Sequence, residues 1–390
     1  INNAPRSDGP LTLPSGAILR VETTGHFTYD AGTAFDMLQP GQRATDNFSY
    51  TISDGRGGSS MQTVTLDFGL NLNGGPSADT LIGDAQANVI TGAGADDLLE
   101  GGAGNDTLDG GSGTDTAVFD APQSAFTLTL TSGQSILTDR RADGLGTDQL
   151  TGIEFLDFSP EVPVLTGPLN LAAVGNGTGL NAAELTGITE LYIAYFNRAP
   201  DAIGLNYWAS EFVRGFTLPE MALSFFVQPE TRATYASVLD DEFNLDLSDR
   251  SKIGEFVTAV YDNVLGRAPD TPGFEYWVNE LENNADISPG IFILAILNGA
   301  KFPSNPTDLT AIDQAYLATK ADLGAYFSVI KGMSDVGDAA AAMALFDGSA
   351  ASVAATVAAI DGHYADALDA ETGDFLMQLV GVIDDPFAMG

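Results

Sequence analysis

The sequence is short of the residues on which most catalytic sites depend. Its 390 residues include no cysteine and only two histidines, His26 and His363, which lie far apart along the chain. The composition excludes disulfides and thiol nucleophiles, and it is found both in reducing compartments and in exported bacterial proteins that metal stabilises. No HExxH motif is present, and no Ser, His and Asp motif for nucleophilic catalysis can be recognised. The sequence therefore predicts a protein that is not an enzyme.

Positive charge and long apolar runs are also scarce. Fifteen basic residues stand against 53 acidic ones, which gives a formal net charge of −38. This balance excludes the basic surface with which proteins bind nucleic acid. It also makes the folded chain repel itself until cations bind. The longest apolar runs, around 291–297 and 375–379, are too short to cross a bilayer, so no transmembrane segment is predicted.

Glycine, in contrast, is abundant, and much of it lies in a strict repeat. Five nine-residue units follow one another from Gly74 to Val118: GGPSADTLI, GDAQANVIT, GAGADDLLE, GGAGNDTLD and GGSGTDTAV. Each unit begins with glycine and has an apolar residue at its eighth position. The residues at the sixth position are Asp79, Asn88, Asp97, Asp106 and Asp115. A fixed period predicts a stacked, repetitive architecture.

The repeat predicts tight turns alternating with very short strands. Glycine allows the left-handed conformations of such turns, whose carbonyls point inward, and the apolar residue of the strand points into the core. Because successive turns alternate sides, each turn stacks on the one two units later. We therefore expect Asp79, Asp97 and Asp115 along one edge, and Asn88 and Asp106 along the other. Carboxylates stacked this closely need a cation, and a mixture of carboxylates and carbonyls suits Ca²⁺ better than the strictly octahedral Mg²⁺.

These units resemble the GGxGxDxUx nonapeptides of repeats-in-toxin (RTX) proteins, whose repeats form a calcium-filled parallel β-roll. The last two units match almost completely, whereas Ser77, Gln86 and Ala95 replace the second glycine of the turn in the first three. The stacking allows about three filled sites at most. A flexible linker is the alternative interpretation, and five units in register argue against it. The predicted metal site combines the sixth-position side chains with the turn glycines Gly92, Gly94, Gly101, Gly102, Gly104, Gly110, Gly111 and Gly113.

Residues 1–72 have the pattern of strands and turns. Apolar and polar side chains alternate over 48–52 and over 64–68, and the turn-forming SDGRGGSS between them predicts a hairpin. The stretches GHFTYD, DNFSYTISDGRGGSS and VTLDF resemble the closing strands of cadherin-like domains in bacterial adhesins. A full sandwich of this kind has about seven strands, and fewer are visible. We therefore expect a partial β-sandwich cut at its N-terminus, with a complete small β-domain as the alternative.

Residues 73–160 are expected to form the roll together with its capping strands. The stretch DRRADGLGTDQLTGIEFLDF, at 139–158, resembles the module that commonly caps RTX rolls. Within it, Asp139, Asp143 and Asp148 surround a glycine turn. Their spacing predicts either a further Ca²⁺ site or a solvated loop.

After a predicted linker at 161–180, which is rich in proline and then glycine, residues 181–305 contain a duplication. LYIAYFNRAPDAIGLNYW at 191–208 matches VYDNVLGRAPDTPGFEYW at 260–277. Each copy predicts a helix, an Arg-Ala-Pro-Asp turn and a second helix, with the Trp and Tyr packed on the hinge. The unit is similar to a helical domain of unknown function from secreted bacterial proteins, and distantly to phycobilisome linker repeats. An aromatic and arginine site for a cell-surface glycan is the functional alternative to packing.

Residues 306–390 are predicted to be helical, rich in alanine, and without Lys or Arg after Lys331. RTX proteins carry an uncleaved secretion signal in their last several dozen residues. The resemblance therefore implies partnership with the type I secretion machinery and an extracellular location, with association to the cell surface. The expected fold class is a multidomain chain: a partial β-sandwich, a calcium-binding parallel β-roll, and then an all-α half.

Three roles agree with this organisation. The chain is expected to be a calcium-binding structural or adhesion segment that folds outside the cell, at the anchor end of an adhesin. The first alternative is a self-assembling surface-layer or filament protein. The second is the export and folding tail of a larger secreted enzyme.

Overall fold

The structure is a computed structural model that describes residues 10–21, 27–32, 34, 44–53, 56, 58–68, 71–158, 167–303 and 308–388. Its β-rich half precedes its helical half, as the sequence predicts. Among the described residues, none of the helices is both long enough and apolar enough to cross a membrane.

The described part of the N-terminal region contains two small antiparallel sheets. β1, β2 and β3 form the first sheet, and β4 and β5 pair along their whole length as the predicted hairpin. Aromatic side chains from both sheets, among them Phe27, Phe48 and Tyr50, contact one another. The strands are β1 (Leu11–Thr12), β2 (Ile18–Val21), β3 (Phe27–Asp30), β4 (Ala44–Ser53) and β5 (Ser59–Phe68).

The repeat region folds into two facing sheets, and successive strands of the repeats lie in one sheet and the other in turn. One sheet has the order β17-β12-β13-β14-β10-β8-β6 and the other has the order β16-β15-β11-β9-β7. The strands are β6 (Asn71–Asn73), β7 (Thr80–Asp84), β8 (Val89–Gly94), β9 (Leu98–Gly102), β10 (Thr107–Ser112), β11 (Thr116–Phe119), β12 (Phe126–Thr131), β13 (Gln134–Asp139), β14 (Thr147–Thr151), β15 (Phe155–Phe158), β16 (Leu169–Asn170) and β17 (Leu376–Leu379). Strands from consecutive repeats enter opposite sheets, and the repeat strands that neighbour each other within a sheet, β6 to β11, are parallel.

Eighth-position side chains stack in two columns between these sheets. Ile90 lies opposite Leu72 on one neighbouring strand and opposite Leu108 on the other. Leu99 lies opposite Ala117 in the second sheet. Ile90, Leu99, Leu108 and Ala117 are completely buried. The predicted stacking of each unit on the one two units later is confirmed.

The capping module continues the roll by one strand on each side. β14 pairs in parallel with β10, which places Leu150 on the column of Leu108. β15 pairs in parallel with β11, which places Leu156 on the column of Ala117. β12 and β13 form an antiparallel hairpin that joins β14 at the edge of the larger sheet. The module therefore adds a last turn to each edge of the roll.

The described part of the expected linker, residues 167–180, is packed against the roll. β16 pairs antiparallel with β15, and α1 (Leu171–Val174) and a 3₁₀ turn (Gly175–Gly179) follow. Leu169, Leu171 and Val174 are buried, so apolar burial outweighs the loop signal of the glycines. This stretch is a core element and not an open connection; residues 161–166 lie outside the described residues.

The second half is helical and shares an apolar core with the roll. One continuous cluster of buried side chains extends from Leu72 in β6 through the helices to Leu379 in β17. The predicted capping box is present at the start of α2, where Asn181 and Glu184 bond each other's backbone. The helices are α2 (Ala182–Phe196), α3 (Ala202–Val213), α4 (Leu218–Phe226), α5 (Pro229–Thr234), α6 (Arg250–Leu265), α7 (Thr271–Asn283), α8 (Pro289–Lys301), α9 (Asp308–Ala325, continued in π geometry over Tyr326–Ile330), α10 (Val336–Met343) and α11 (Ala350–Ala367).

Both copies of the duplicated motif form a helix–hinge–helix. Asp201 caps α3 by accepting the Gly204 N–H at 2.7 Å, and Asp270 caps α7 by accepting the Gly273 N–H at 2.7 Å. The tryptophans pack against phenylalanine rings of the following helix, Trp208 on Phe225 and Trp277 on Phe292. The expected aspartate cap of the second helix is present in both copies. The expectation that proline ends the first helix is wrong, because that helix ends earlier at a left-handed C-cap, Asn197 in α2 and Gly266 in α6.

The C-terminal region departs from its all-helical prediction at β17. Leu376–Leu379 adds a strand to the larger sheet, parallel to β12. The Arg140 guanidinium donates to the carbonyl oxygens of Ala367 at 3.2 Å and Asp374 at 2.7 Å, next to this strand. The apolar run at 375–379 is thus buried because it pairs with β12, the strand that would otherwise form the edge of the larger sheet.

Candidate metal centre

The sixth-position side chains lie along the two edges of the roll, as the repeat predicts. The backbone N–H of Asp79 donates to Asp97 Oδ1 at 2.7 Å, and that of Asp97 donates to Asp115 Oδ1 at 2.8 Å. On the other edge the N–H of Asn88 donates to Asp106 Oδ1 at 2.8 Å. Each bond spans two repeats, so each carboxylate holds the turn that precedes it on its own edge.

The capping module completes both ladders with acidic side chains. Asp148 Oδ1 accepts the N–H of Asp106 at 2.8 Å, and Glu154 Oε2 accepts the N–H of Asp115 at 2.8 Å. Asp148 is one of the predicted site residues. Glu154 is a residue that sequence reasoning missed, because it lies outside the nine-residue period. Its signal was an acidic residue two positions after Gly152 in the segment TGIE.

Three carboxylates of the stacked turns have an oxygen without any hydrogen-bond partner. Oδ2 of Asp97, Asp106 and Asp115 is buried and lacks a partner among the described residues. A buried charged oxygen without a partner is costly unless it is paired or coordinates a metal. These oxygens are hard anionic donors, which is the ligand type that Ca²⁺ prefers. The side chains therefore fit a hard cation.

The first glycine of each unit leaves room for these oxygens. A Cβ atom on Gly92 would lie 2.3 Å from Asp97 Oδ2 and 2.7 Å from the Gly110 carbonyl oxygen. One on Gly110 would lie 2.6 Å from Asp115 Oδ2 and 2.1 Å from the Gly152 carbonyl oxygen. Carboxylate and carbonyl oxygens of two stacked turns therefore converge at positions that only glycine leaves open. A mixed set of this kind is typical of Ca²⁺ sites.

The other predicted glycines shape the turns. Gly102, Gly104, Gly111 and Gly113 all have positive φ, between 91° and 148°, which a residue with a side chain rarely adopts. A Cβ on Gly101 would lie 2.3 Å from Asp106 Oδ2. Gly94 has no positive φ, and its N–H donates to the Gly75 carbonyl oxygen at 3.2 Å.

Burial raises the pKa of several of these carboxyl groups. The pKa of Asp106 rises to about 6 and that of Asp148 to about 7, in each case mainly because burial penalises the charged form. Burial also raises the pKa of Asp115, and the negative charges of Asp97 and Glu154 add to the effect. In the absence of a counter-charge these groups resist ionisation, and a bound cation supplies that counter-charge.

The first two repeats differ from the others in their hydrogen bonds. Asp79 Oδ2 accepts the Gly75 N–H at 2.7 Å, and Asn88 Oδ1 accepts the Asp84 N–H at 2.7 Å. In the first two repeats, therefore, the side-chain oxygen that lacks a partner in the later repeats accepts a backbone hydrogen bond within its own turn. These two predicted residues are placed on the edges but have less capacity left for a metal.

The structure does not assemble the predicted trio of Asp139, Asp143 and Asp148. Asp139 forms an ion pair with Arg141 at 2.6 Å, and it accepts the Leu145 N–H at 2.8 Å. Asp143 is exposed, and Asp148 belongs to the edge ladder. In the described ranges no three acidic or histidine side chains gather as a metal site. Of the two interpretations, these contacts favour the loop over a further Ca²⁺ site, because the nearby Arg141 already neutralises Asp139.

Glycine-bracketed turns stacked on two edges, with inward carboxylates and carbonyls, define the class of calcium-binding β-roll proteins. The comparisons with known proteins agree with this class. Residues 71–99 and 82–117 match the RTX calcium-binding nonapeptide repeat. Residues 2–67 match a bacterial Ig domain, and residues 236–292 match a domain of unknown function, DUF4214. A search of curated proteins gave no significant match.

The chain thus carries RTX calcium-binding repeats between a bacterial Ig domain and a DUF4214 domain, and Ca²⁺ is the metal of its repeats. The resemblances to RTX repeats, to a bacterial Ig-type β-domain and to a helical domain of unknown function are confirmed. None of the three matched descriptions names a catalytic domain.

Proposed function

We propose that the chain is a calcium-dependent structural and adhesion segment of an exported protein, folded by Ca²⁺ outside the cell. The observation that carries the proposal is the set of buried, unpartnered Oδ2 atoms of Asp97, Asp106 and Asp115. These side chains would hold Ca²⁺ together with turn carbonyl oxygens such as those of Gly110 and Gly152. Asp148 and Glu154 would supply acidic side chains at the last turn of each edge.

Ca²⁺ in this protein would act on folding. The stacked turns are bonded to one another through carboxylate oxygens, and the whole chain carries a net charge of −38. Metal that binds the folded roll and not the coil adds its binding free energy to the folding free energy. Extracellular calcium modules have affinities of about 10⁻⁴ to 10⁻³ M. Calcium at cytosolic levels would then leave the repeats extended and fit for type I secretion, and extracellular calcium would fold them.

An adhesion role is supported by the bacterial Ig domain that directly precedes the repeats. Adhesion and scaffold proteins need a rigid connection between modules, and a metal-filled roll is such a connection. Two alternatives stay open: a self-assembling surface layer and the folding tail of a secreted enzyme. Light scattering in the experiment below distinguishes a surface layer from a monomeric module.

The test is a calcium titration followed by circular dichroism, with light scattering on the same sample. We expect a cooperative gain of β signal at sub-millimolar to millimolar Ca²⁺ that chelator reverses. Asp106→Asn keeps the hydrogen bond to Asn88 and removes the charge, so the midpoint should rise about tenfold, or ~1.4 kcal/mol. Asp143→Asn, at an exposed acid outside the ladders, is the matched control and should leave the midpoint unchanged.

The outcomes distinguish the roles. A transition without scattering supports a monomeric exported module, whereas large particles that chelator dissolves would support a surface lattice or filament. A β signal that is the same in chelator and in calcium would refute calcium-dependent folding altogether.

A further inference from the structure

The second copy of the duplicated motif has an open cleft of 440 Å³. It lies between α7, α8 and the start of α9, and this volume is within the ~300–1,000 Å³ of small-ligand sites. Its lining includes Tyr261, Arg267, Tyr276, Trp277, Phe302 and Asp313. An aromatic wall and one charged pair therefore face the same space, a combination that the calcium sites do not use.

The aromatic wall is accessible. Tyr276 is 55% exposed and Phe302 is 74% exposed, so a ligand can reach both rings from solvent. The Tyr276 ring packs edge-on against Trp277 at 4.9 Å between centroids. Trp277 in turn packs edge-on against Phe292 at 5.4 Å between centroids. The wall is thus fixed from behind before any ligand arrives.

The polar side of the cleft is a bidentate ion pair. Arg267 Nε donates to Asp313 Oδ1 at 2.7 Å, and Nη2 donates to Asp313 Oδ2 at 2.6 Å. Nη1 donates to the Ala268 carbonyl oxygen at 3.0 Å. Three of the five N–H groups of the guanidinium are thereby used by described residues, which leaves two that can donate to a ligand. The pair is locally neutral and rich in both donors and acceptors.

The first copy of the motif is closed at the corresponding place. There α5 begins two residues after α4 ends and brings Glu230 onto Arg198, with Oε2 at 2.8 Å from Nη2. The Arg198 side chain is 6% exposed, against 24% for Arg267. In the second copy α8 runs on to Lys301, and the acidic partner Asp313 comes from α9 instead. The duplication has therefore produced one packed copy and one open copy.

We propose that this open cleft binds a pyranose ring of a neutral glycan. A pyranose has an apolar C–H face, which suits the exposed faces of Tyr276 and Phe302, and a rim of hydroxyl groups. These hydroxyls can accept from Arg267 and donate to Asp313. A neutral sugar is favoured because the guanidinium charge is already compensated and because the net charge of −38 repels anionic ligands. The lining of the cleft shares no residue with the calcium ladders, so the sugar contacts are tested separately from the calcium ligands.

The experiment uses the full chain in calcium and a panel of methyl glycosides. Saturation-transfer difference NMR is recorded with the methyl glycosides of glucose, galactose, mannose, rhamnose and N-acetylglucosamine, and any positive sugar is titrated. We expect saturable, millimolar binding of at least one sugar. Tyr276→Ala should weaken it about three- to tenfold, the change typical of losing one aromatic contact, and Phe302→Ala should act in the same direction.

The duplication offers the matched control. Tyr207 is the equivalent of Tyr276, is 42% exposed, and packs edge-on against Trp208. Tyr207→Ala should therefore leave sugar binding unchanged. Absence of transfer to every sugar, or equal weakening by Tyr207→Ala and Tyr276→Ala, would overturn the proposal. Sugar binding that persists without any calcium-induced change in circular dichroism would instead count against the proposed function alone.

Discussion

At the scale of single residues, the third repeat is strained where the others are relaxed. Ala93 and Ala95 have φ of 79° and 72°, at the positions that glycine occupies in the fourth and fifth repeats. A side chain in this left-handed region costs roughly 1–2 kcal/mol. The strain is local to the backbone, because the stacking of Leu99 and the ladder through Asp97 are intact.

We therefore predict that Ala93→Gly and Ala95→Gly stabilise the calcium-loaded chain by about 1 kcal/mol each. Ala87→Gly is the matched control. Ala87 is an exposed turn residue without positive φ, so glycine there should only add entropy to the unfolded chain and destabilise by up to ~1 kcal/mol. Denaturant unfolding at saturating calcium measures all three. Equal effects of Ala87→Gly and Ala95→Gly would mean that the backbone strain is absent.

Spacing along the sequence does not reveal the roles of Glu154 and of the acidic trio. Glu154 takes the ladder position that a seventh unit would give to aspartate, but β12 to β14 are inserted before it and break the period. Asp139 was grouped with Asp143 and Asp148 by spacing alone. The basic residue two positions after Asp139 was the available signal that its charge is already compensated.

At the scale of elements, one arginine reinforces the strand pairing that attaches β17 to the roll. Arg140 follows β13 and donates to the carbonyl oxygens of Ser124 and Phe126 on the roll side. It donates to those of Ala367 and Asp374 on the C-terminal side. One guanidinium thus satisfies four backbone acceptors where two distant parts of the chain meet.

Replacing this arginine should loosen β17 selectively. Arg140→Met leaves buried carbonyl oxygens without donors, at a cost of about 1–3 kcal/mol. We expect the amides of Leu376–Leu379 to exchange with solvent about tenfold or more faster, as measured by hydrogen–deuterium exchange. Arg250→Met, at a half-exposed arginine that pairs with Glu275 and Glu282, should leave this exchange unchanged. Unchanged protection in Arg140→Met would show that strand pairing alone holds the segment.

Elements with periodic patterns were predictable, and those defined by distant contacts were not. The hairpin of β4 and β5, the columns of Ile90 and Leu99, and both Arg-Ala-Pro-Asp hinges follow from local spacing. β17 is four residues long and pairs with a strand about 250 positions earlier, so no local pattern can reveal it. Residues 169–180 have the composition of a loop, and only their contacts with β15 and the helices show that they are buried.

At the scale of the whole molecule, the roll and the helical half are not independent. Their apolar side chains form one continuous buried cluster. The turns that carry the buried carboxylates therefore enclose one part of a core whose other part lies between the helices. Calcium bound at the turns should consequently stabilise helices that have no calcium ligands.

We predict that calcium raises the melting temperature of the helical signal at 222 nm. A ligand at a hundredfold excess over its Kd adds about 2.7 kcal/mol of stability per site, which corresponds to about 4 °C per site for a cooperative unit of roughly 300 residues. Magnesium at equal ionic strength is the control and should give a smaller shift. A helical transition at the same temperature in calcium and in chelator would show that the two halves unfold separately.

The shortness of β17 also bears on aggregation. An exposed strand edge is a template on which another chain can form hydrogen bonds, and β12 would present a six-residue edge of this kind. β17 covers Thr127 to Leu130 of that edge and exposes a strand of only four residues in its place. A protein built from stackable repeats must keep its sheets from growing into those of its neighbours. The last strand gives the larger sheet a short edge strand, which offers few backbone groups to a strand from a neighbouring molecule.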